Sequence, residues 1–325
     1  MALTFTELEA ITRDYFLLDD GKATDIYFKT SYFVEQFMKG QVGLWERPNG
    51  GKTIKVPLEY NPSEGGWYAR SDVLSSDDRE QVNAAFFRWK HNYGNATVYR
   101  TDELENSGEY AEVQLVTQRI ENAQKTARDN IAKGVYLAGA DGATGLTGLL
   151  SMCSTSLTTS YGGIVPNDLV AADGSKPWVG NVTTTGEVVS LDVIRTLASS
   201  AKIYDGPDGK PNYGFTTETL YNKIMSLLQA QQRYVKEGDA VKAGFLAMEF
   251  EGKKIAADDY CPSGDLFLIN SNACGFGIHS KGYFARTEWR DLDGPAGKTM
   301  KIFWDGNLIC SNRKAHALHT SLTTS

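Results

Sequence analysis

Gly50-Gly51-Lys52-Thr53-Ile54-Lys55-Val56-Pro57-Leu58-Glu59-Tyr60 is the stretch on which the reading of this chain turns. Ile54, Val56, Leu58 and Tyr60 alternate with Thr53, Lys55, Pro57 and Glu59, the period of a strand with one apolar face. Pro48-Asn49-Gly50-Gly51 precedes it as a turn signal. Pro57 has no N–H to give to a ladder, which confines the strand to an edge or a two-stranded ribbon. Asn61-Pro62-Ser63-Glu64-Gly65-Gly66 reads as a turn and Trp67-Tyr68-Ala69 as the returning strand, so a long hairpin is expected over 48–76. A hairpin alone is marginal in water. The expectation is therefore that Ile54, Val56, Leu58, Tyr60, Trp67 and Tyr68 are covered by a neighbouring body, with a second subunit as one candidate.

Upstream, residues 1–47 mix short apolar pieces such as Tyr32-Phe33-Val34 with Asp19-Asp20-Gly21 and show no sustained period, as an arm lying on something else would. Downstream, Ala84 to Tyr93 and Ala96 to Thr101 read as strands around an Asn92-Tyr93-Gly94-Asn95 turn. Val113, Val116, Ile120, Ala123, Ala127 and Ile131 then recur at helical steps, which predicts a helix over 109–133 with Gly134 as its stop. At about 1.5 Å per residue it would be roughly 37 Å long, a spine rather than an ordinary packing unit. The middle reads as mixed, with helices at Leu146 to Met152, Leu191 to Ile203 and Thr217 to Tyr234 and strands at Phe245 to Phe250 and Leu266 to Asn270. Strands return at Lys281 to Trp289, Thr299 to Trp304 and Asn307 to Ser311, the last two around an Asp305-Gly306 turn. The class expected is α+β.

With 41% hydrophobic residues in 325, the chain has material for a substantial core, which excludes disorder as its main state. Met1 to Glu9 lacks the run of a signal peptide, and no stretch has the ~18 apolar residues of a membrane helix, so a cytoplasmic protein without a membrane partner is expected. Cys153, Cys261, Cys274 and Cys310 lack framework spacing and read as reduced thiols. The net charge of -7 leaves little gain from neutralising phosphates and argues against direct binding to nucleic acid.

Chemical motifs are sparse. His316 and His319 are three apart but no cysteine lies at zinc spacing, so no metal is expected. Gly139, Gly142, Gly145 and Gly148 lack the lysine of a phosphate loop and read as a hinge. Cys153 and Ser154 have no nearby histidine to activate them. Asp19-Asp20, Asp77-Asp78 and Asp258-Asp259 are adjacent pairs, and adjacent side chains in extended chain point apart. No catalytic residue and no cofactor is expected; a carbohydrate-active enzyme using Asp258, Asp259 and surface aromatics such as Trp67, Trp178 and Trp289 is the enzymatic alternative.

The order of arm, ribbon, strands, spine helix, mixed domain and closing strands resembles the major capsid proteins of tailed bacteriophages, the fold named for the phage Hong Kong 97. The residues carrying the resemblance are Gly50 to Tyr60, Phe87-Arg88-Trp89-Lys90, Asn106-Ser107-Gly108, Asn130-Ile131-Ala132-Lys133-Gly134, and Gly306-Asn307-Leu308-Ile309-Cys310-Ser311-Asn312-Arg313-Lys314-Ala315-His316. The resemblance implies an N-terminal arm at 1–47, an extended E-loop at 48–76, a P-domain at 77–142 and 273–325 with its spine at 109–133, and an A-domain at 143–272. It implies a non-enzymatic subunit forming hexamers and pentamers of an icosahedral virion shell around double-stranded DNA, assembled in the host cytoplasm. No long charged N-terminal scaffolding segment is evident, so the resemblance implies a separate scaffolding protein; a portal is a further implied partner and a decoration protein an optional one. Some members crosslink subunits through lysine and asparagine; Lys52 and Lys55 lie in the ribbon, but no partner for them is identifiable. An encapsulin-like compartment shares the fold and is the alternative container.

Overall fold

A computed structural model describes residues 27–39, 42–43, 48–105, 115–139, 141–203, 207–229 and 247–325. Ser31 opens a short helix, α1 (Tyr32–Val34), which continues as a π-turn over Glu35–Lys39. Tyr32, Phe33, Phe37 and Met38 are buried at the centre of the largest core, where Phe33 stacks on Phe37 and meets Phe215 and Phe276 edge to face. This part of the expected arm is thus inserted into the chain's own interior; 1–26, 40–41 and 44–47 lie outside the described residues. Asp258 fixes the insertion by accepting hydrogen bonds from Ser31 Oγ at 2.7 Å and Phe33 N at 3.1 Å.

Strand β1 (Thr53–Glu59) pairs antiparallel with β2 (Val82–Arg88), Thr53 opposite Arg88 and Glu59 opposite Val82. The expected return strand at Trp67-Tyr68-Ala69 is not the partner. Those residues are exposed in the 22-residue connection between Tyr60 and Gln81. The partner strand lies farther along the chain than read, where Phe87, Ala85 and Asn83 stand opposite Ile54, Val56 and Leu58 on the same face.

Strand β3 (Lys90–Tyr99) runs unbroken through Gly94, so the expected turn at 92–95 does not form. A Cβ at Gly94 would stand 2.1 Å from the Ala123 carbonyl oxygen. Glycine is there for close approach of a helix, not for a reversal. After α2 (Arg100–Glu105), that helix is α3 (Leu115–Val135); residues 109–114 of the expected spine lie outside the described residues, and Gly134 is inside the helix rather than its stop. Ala123 faces Ala96, Met300 and Ile302, and the small side chain allows helix and sheet to touch.

In the middle domain α4 (Leu149–Cys153) leads to β4 (Val182–Thr183), β5 (Glu187–Val188), α5 (Leu191–Ser200), β6 (Tyr213–Thr216) and α6 (Glu218–Gln229). Ser190 caps α5 by accepting from Val193 N at 3.2 Å. Then come β7 (Ala247–Phe250), β8 (Lys253–Ala257) and β9 (Leu266–Ile269). The expected helices are displaced by a few residues, and 230–234 and 245–246 lie outside the described residues. Gly139 and Gly148 are no hinge: a Cβ on either would fall within about 2 Å of the Leu146 or Leu137 carbonyl oxygen, so the glycines let two segments cross.

The closing strands are β10 (Cys274–Ile278), β11 (Ala285–Arg286), β12 (Arg290–Asp291), the 14-residue β13 (Gly297–Cys310), β14 (Ala317–His319) and β15 (Leu322–Thr323). Gly306 pairs with Lys90 on one side and Ile278 on the other, so the expected turn at Asp305-Gly306 is the middle of one long strand. Among the described residues, β3, β10, β11 and β12 assemble on β13, and a second sheet runs β4-β14-β9-β6-β8-β7. The mixed architecture is α+β, as expected.

Candidate subunit interface

The ribbon grows from the body at a tight neck. Tyr60 N donates to Gln81 O at 3.0 Å, Asn61 Nδ2 to Glu80 O at 3.1 Å and Gln81 Nε2 to Ser63 Oγ at 2.9 Å, while Arg79 pairs with Glu64. Ala172 N donates to Asn61 Oδ1 at 2.9 Å, tying the neck to the middle domain. Beyond the neck every residue from Pro62 to Glu80 is exposed. Trp67 is 104% exposed, Val73 97% and Tyr68 70%. Large apolar side chains held this far from any core add nothing to the chain's own stability.

The six residues expected to meet a neighbour divide. Ile54 and Leu58 are buried in the chain's own main core, and Val56 and Tyr60 pack against it. A Cβ on Gly277 would come within 2.6 Å of Ile54 Cδ1, so the β10 glycine forms the floor on which Ile54 sits. The neighbouring body expected to cover this strand face is, for Ile54 and Leu58, the chain's own core. Trp67 and Tyr68 remain open, joined by Val73, Leu74 (63% exposed) and Val82. The signal for the added pair was Val73-Leu74 standing alone in the polar run Asp72 to Asp78.

The ribbon is fastened along one side as well. Phe86 N donates to Gly162 O at 2.7 Å. The turn carrying Gly162 is gripped by the Asp141 carboxylate, which accepts from Ser160 Oγ at 2.7 Å, Gly162 N at 3.0 Å and Gly163 N at 2.9 Å. The buried Lys90 ammonium in turn donates to the Asp141 carbonyl at 3.2 Å and to the Ala143 carbonyl, and its burial lowers its pKa. The base of the ribbon is therefore held by hydrogen bonds while its tip is bare.

Several residues weighed for chemistry have structural work; Asp19 and Asp20 lie outside the described residues, and Asp77 and Asp78 are exposed. Asp258 is buried and accepts from Ser31, Phe33 and Tyr260 N, with its pKa raised by burial, whereas Asp259 is exposed. Trp178 is buried, its indole N–H donating to Tyr161 O at 2.9 Å, so it is no surface aromatic. His316 is buried, accepting from Asn270 N at 3.2 Å, and burial pushes its pKa down to about 3. His319 Nε2 lies 2.7 Å from Glu187 Oε1. All four cysteines are buried free thiols, and burial raises each of their pKa values, Cys310 to about 12, away from reactive thiolate. Among the described residues no cluster of three His, Cys, Asp or Glu could hold a metal, and no helix is long and apolar enough to cross a membrane.

A helical spine laid on a long-stranded sheet, a projecting ribbon and a mixed second domain together define the fold of tailed-phage capsid proteins. The chain is similar in structure to the capsid protein of cyanophage A-1(L), with a TM-score of 0.68 at 13% identity over 94% of this chain and 96% of that one. It is similar to the capsid protein of a native GTA particle (TM-score 0.61, 10% identity, 94% and 96% covered). It also matches the SrpI encapsulin of Synechococcus elongatus (TM-score 0.51, 8% identity, 94% and 93% covered). No family model and no curated protein matches the sequence.

Proposed function

We propose that this protein is a major capsid protein whose copies close, as hexamers and pentamers, into an icosahedral shell around double-stranded DNA. The observation that carries the reading is the ribbon, hydrogen-bonded at its base, whose tip holds Trp67, Tyr68, Val73 and Leu74 in solvent within this fold. The ribbon tip is the surface laid on a neighbouring copy, and symmetric repetition of such a head-to-tail contact closes rings. The role is structural and non-enzymatic: Asp258, His316 and His319 are engaged in holding the chain together. A separate scaffolding protein, a portal and an optional decoration protein are the partners of such a shell, which would form in the host cytoplasm and end in the virion.

Expression alone and with a co-encoded scaffold, followed by particle mass and electron microscopy, tests the reading. Closed particles are expected; a monomer under every condition would overturn it. The encapsulin match makes a cargo compartment the second reading. DNA inside particles favours the first, and a packaged protein the second.

A further inference from the structure

The turn at the root of the ribbon contains Asn49-Gly50, and no other asparagine in the sequence is followed by glycine. Both residues are exposed. Gly50 has φ 149° and Gly51 φ 95°, and a Cβ built on Gly50 meets nothing within 4 Å. Neither Asn49 nor Gly50 has a backbone hydrogen-bond partner among the described residues. The turn is nonetheless pinned on both sides: Ser280 N donates to Pro48 O at 3.3 Å, and Trp89 Nε1 donates to Gly51 O at 2.8 Å.

We propose that Asn49 is a site of spontaneous deamidation, converting in the folded subunit to aspartate and isoaspartate. The Gly50 amide nitrogen loses its proton to solvent base and attacks Cγ of the Asn49 amide. The N–Cγ bond forms, the Cγ–Nδ2 bond breaks, and the departing nitrogen takes a proton from water and leaves as ammonia. The resulting five-membered imide is opened by water at either carbonyl, one opening giving aspartate and the other isoaspartate; no oxidant or cofactor takes part. Two features set this position apart. The nucleophile carries no side chain to shield it, and its N–H is not held in a hydrogen bond that the attack must first break. Each product adds a negative charge where the chain enters β1. Isoaspartate also lengthens the backbone between the Pro48 and Gly51 anchors, so one of those hydrogen bonds must loosen. This is a property of the subunit and does not depend on the assembly reading.

The test incubates the full-length protein in neutral and mildly alkaline buffer and follows each asparagine by peptide mass spectrometry. Isoaspartate is detected by enzymatic methyl transfer. Asn49 is expected to convert at least about tenfold faster than any other asparagine, a barrier difference of roughly 1.4 kcal/mol, and faster still in the alkaline buffer. Asn49→Gln should abolish the methyl-accepting site in a protein with an unchanged circular-dichroism spectrum, and Gly50→Ala should slow conversion at Asn49 alone. Conversion of Asn49 no faster than that of the buried asparagines, or methyl acceptance undiminished in Asn49→Gln, would overturn the proposal.

Discussion

The Arg313 guanidinium carbon stands 4.8 Å from the centroid of the Tyr161 ring, with both residues almost completely buried. Among the described residues no carboxylate forms an ion pair with the cation. Its N–H groups instead donate to the Met152, Trp178, Ser151 and Ser154 carbonyls at 2.7 to 3.0 Å. Three of those carbonyls belong to the C-terminal end of α4, where the helix dipole favours positive charge. Arg313→Met should leave these acceptors unpaired and cost at least about 3 kcal/mol, at roughly 1 to 3 kcal/mol for each buried unmade bond. Urea denaturation measures it, and a loss below about 1 kcal/mol would mean that the carbonyls find other donors.

Gly94→Ala tests the contact between spine helix and sheet. The added Cβ would meet the Ala123 carbonyl oxygen at 2.1 Å, a backbone atom that can yield only if the helix moves. A destabilisation of about 1 to 3 kcal/mol is expected from overpacking. The same exchange at Gly142, where nothing lies within 4 Å, should be close to neutral.

Two substitutions in the ribbon should part company. Ile54→Asp buries an unpaired carboxylate in the main core and should unfold the subunit or precipitate it. Trp67→Ser removes a side chain that touches nothing in its own chain, so the monomer's stability should stay within about 0.5 kcal/mol. If the ribbon tip is an assembly surface, the soluble Trp67→Ser subunit should fail to form particles in sedimentation.

Acid should act through two buried groups in opposite directions. His316 is held down to about 3 from an ordinary 6.5, so the unfolded chain binds the extra proton first and stability is lost as pH falls from 6.5 toward 3. Asp265 is raised from 3.8 to about 6 by burial, partly countered by His319, so here the folded chain holds the proton and stability is gained as pH falls from 6 toward 4. Melting temperature against pH should therefore fall more steeply below pH 6 in Asp265→Asn than in the parent. In a folded His316→Gln variant it should fall less steeply. Parallel curves for all three proteins would contradict both assignments.

The alternating residues of β1, the period of the spine and the apolar runs of the middle domain were readable from the chain, because each is a local repeat of 2 or 3.6 residues that a single face imposes. So was the α+β class. What a residue's neighbours would be was not readable. Tyr32 to Met38 looked like an arm, yet it fills the core because β6 and β10 present Phe215 and Phe276 to it from positions more than 170 residues away. Gly94 and Gly306 looked like turns, and only the crossing of α3 and the pairing of β13 on both sides made them strand. The ribbon shows the division most plainly. Its pattern announced one apolar face; whether that face met its own subunit or another was decided by Gly277, whose missing side chain leaves room for Ile54. Periodicity is a property of neighbouring residues, whereas burial depends on long-range packing that no local pattern encodes.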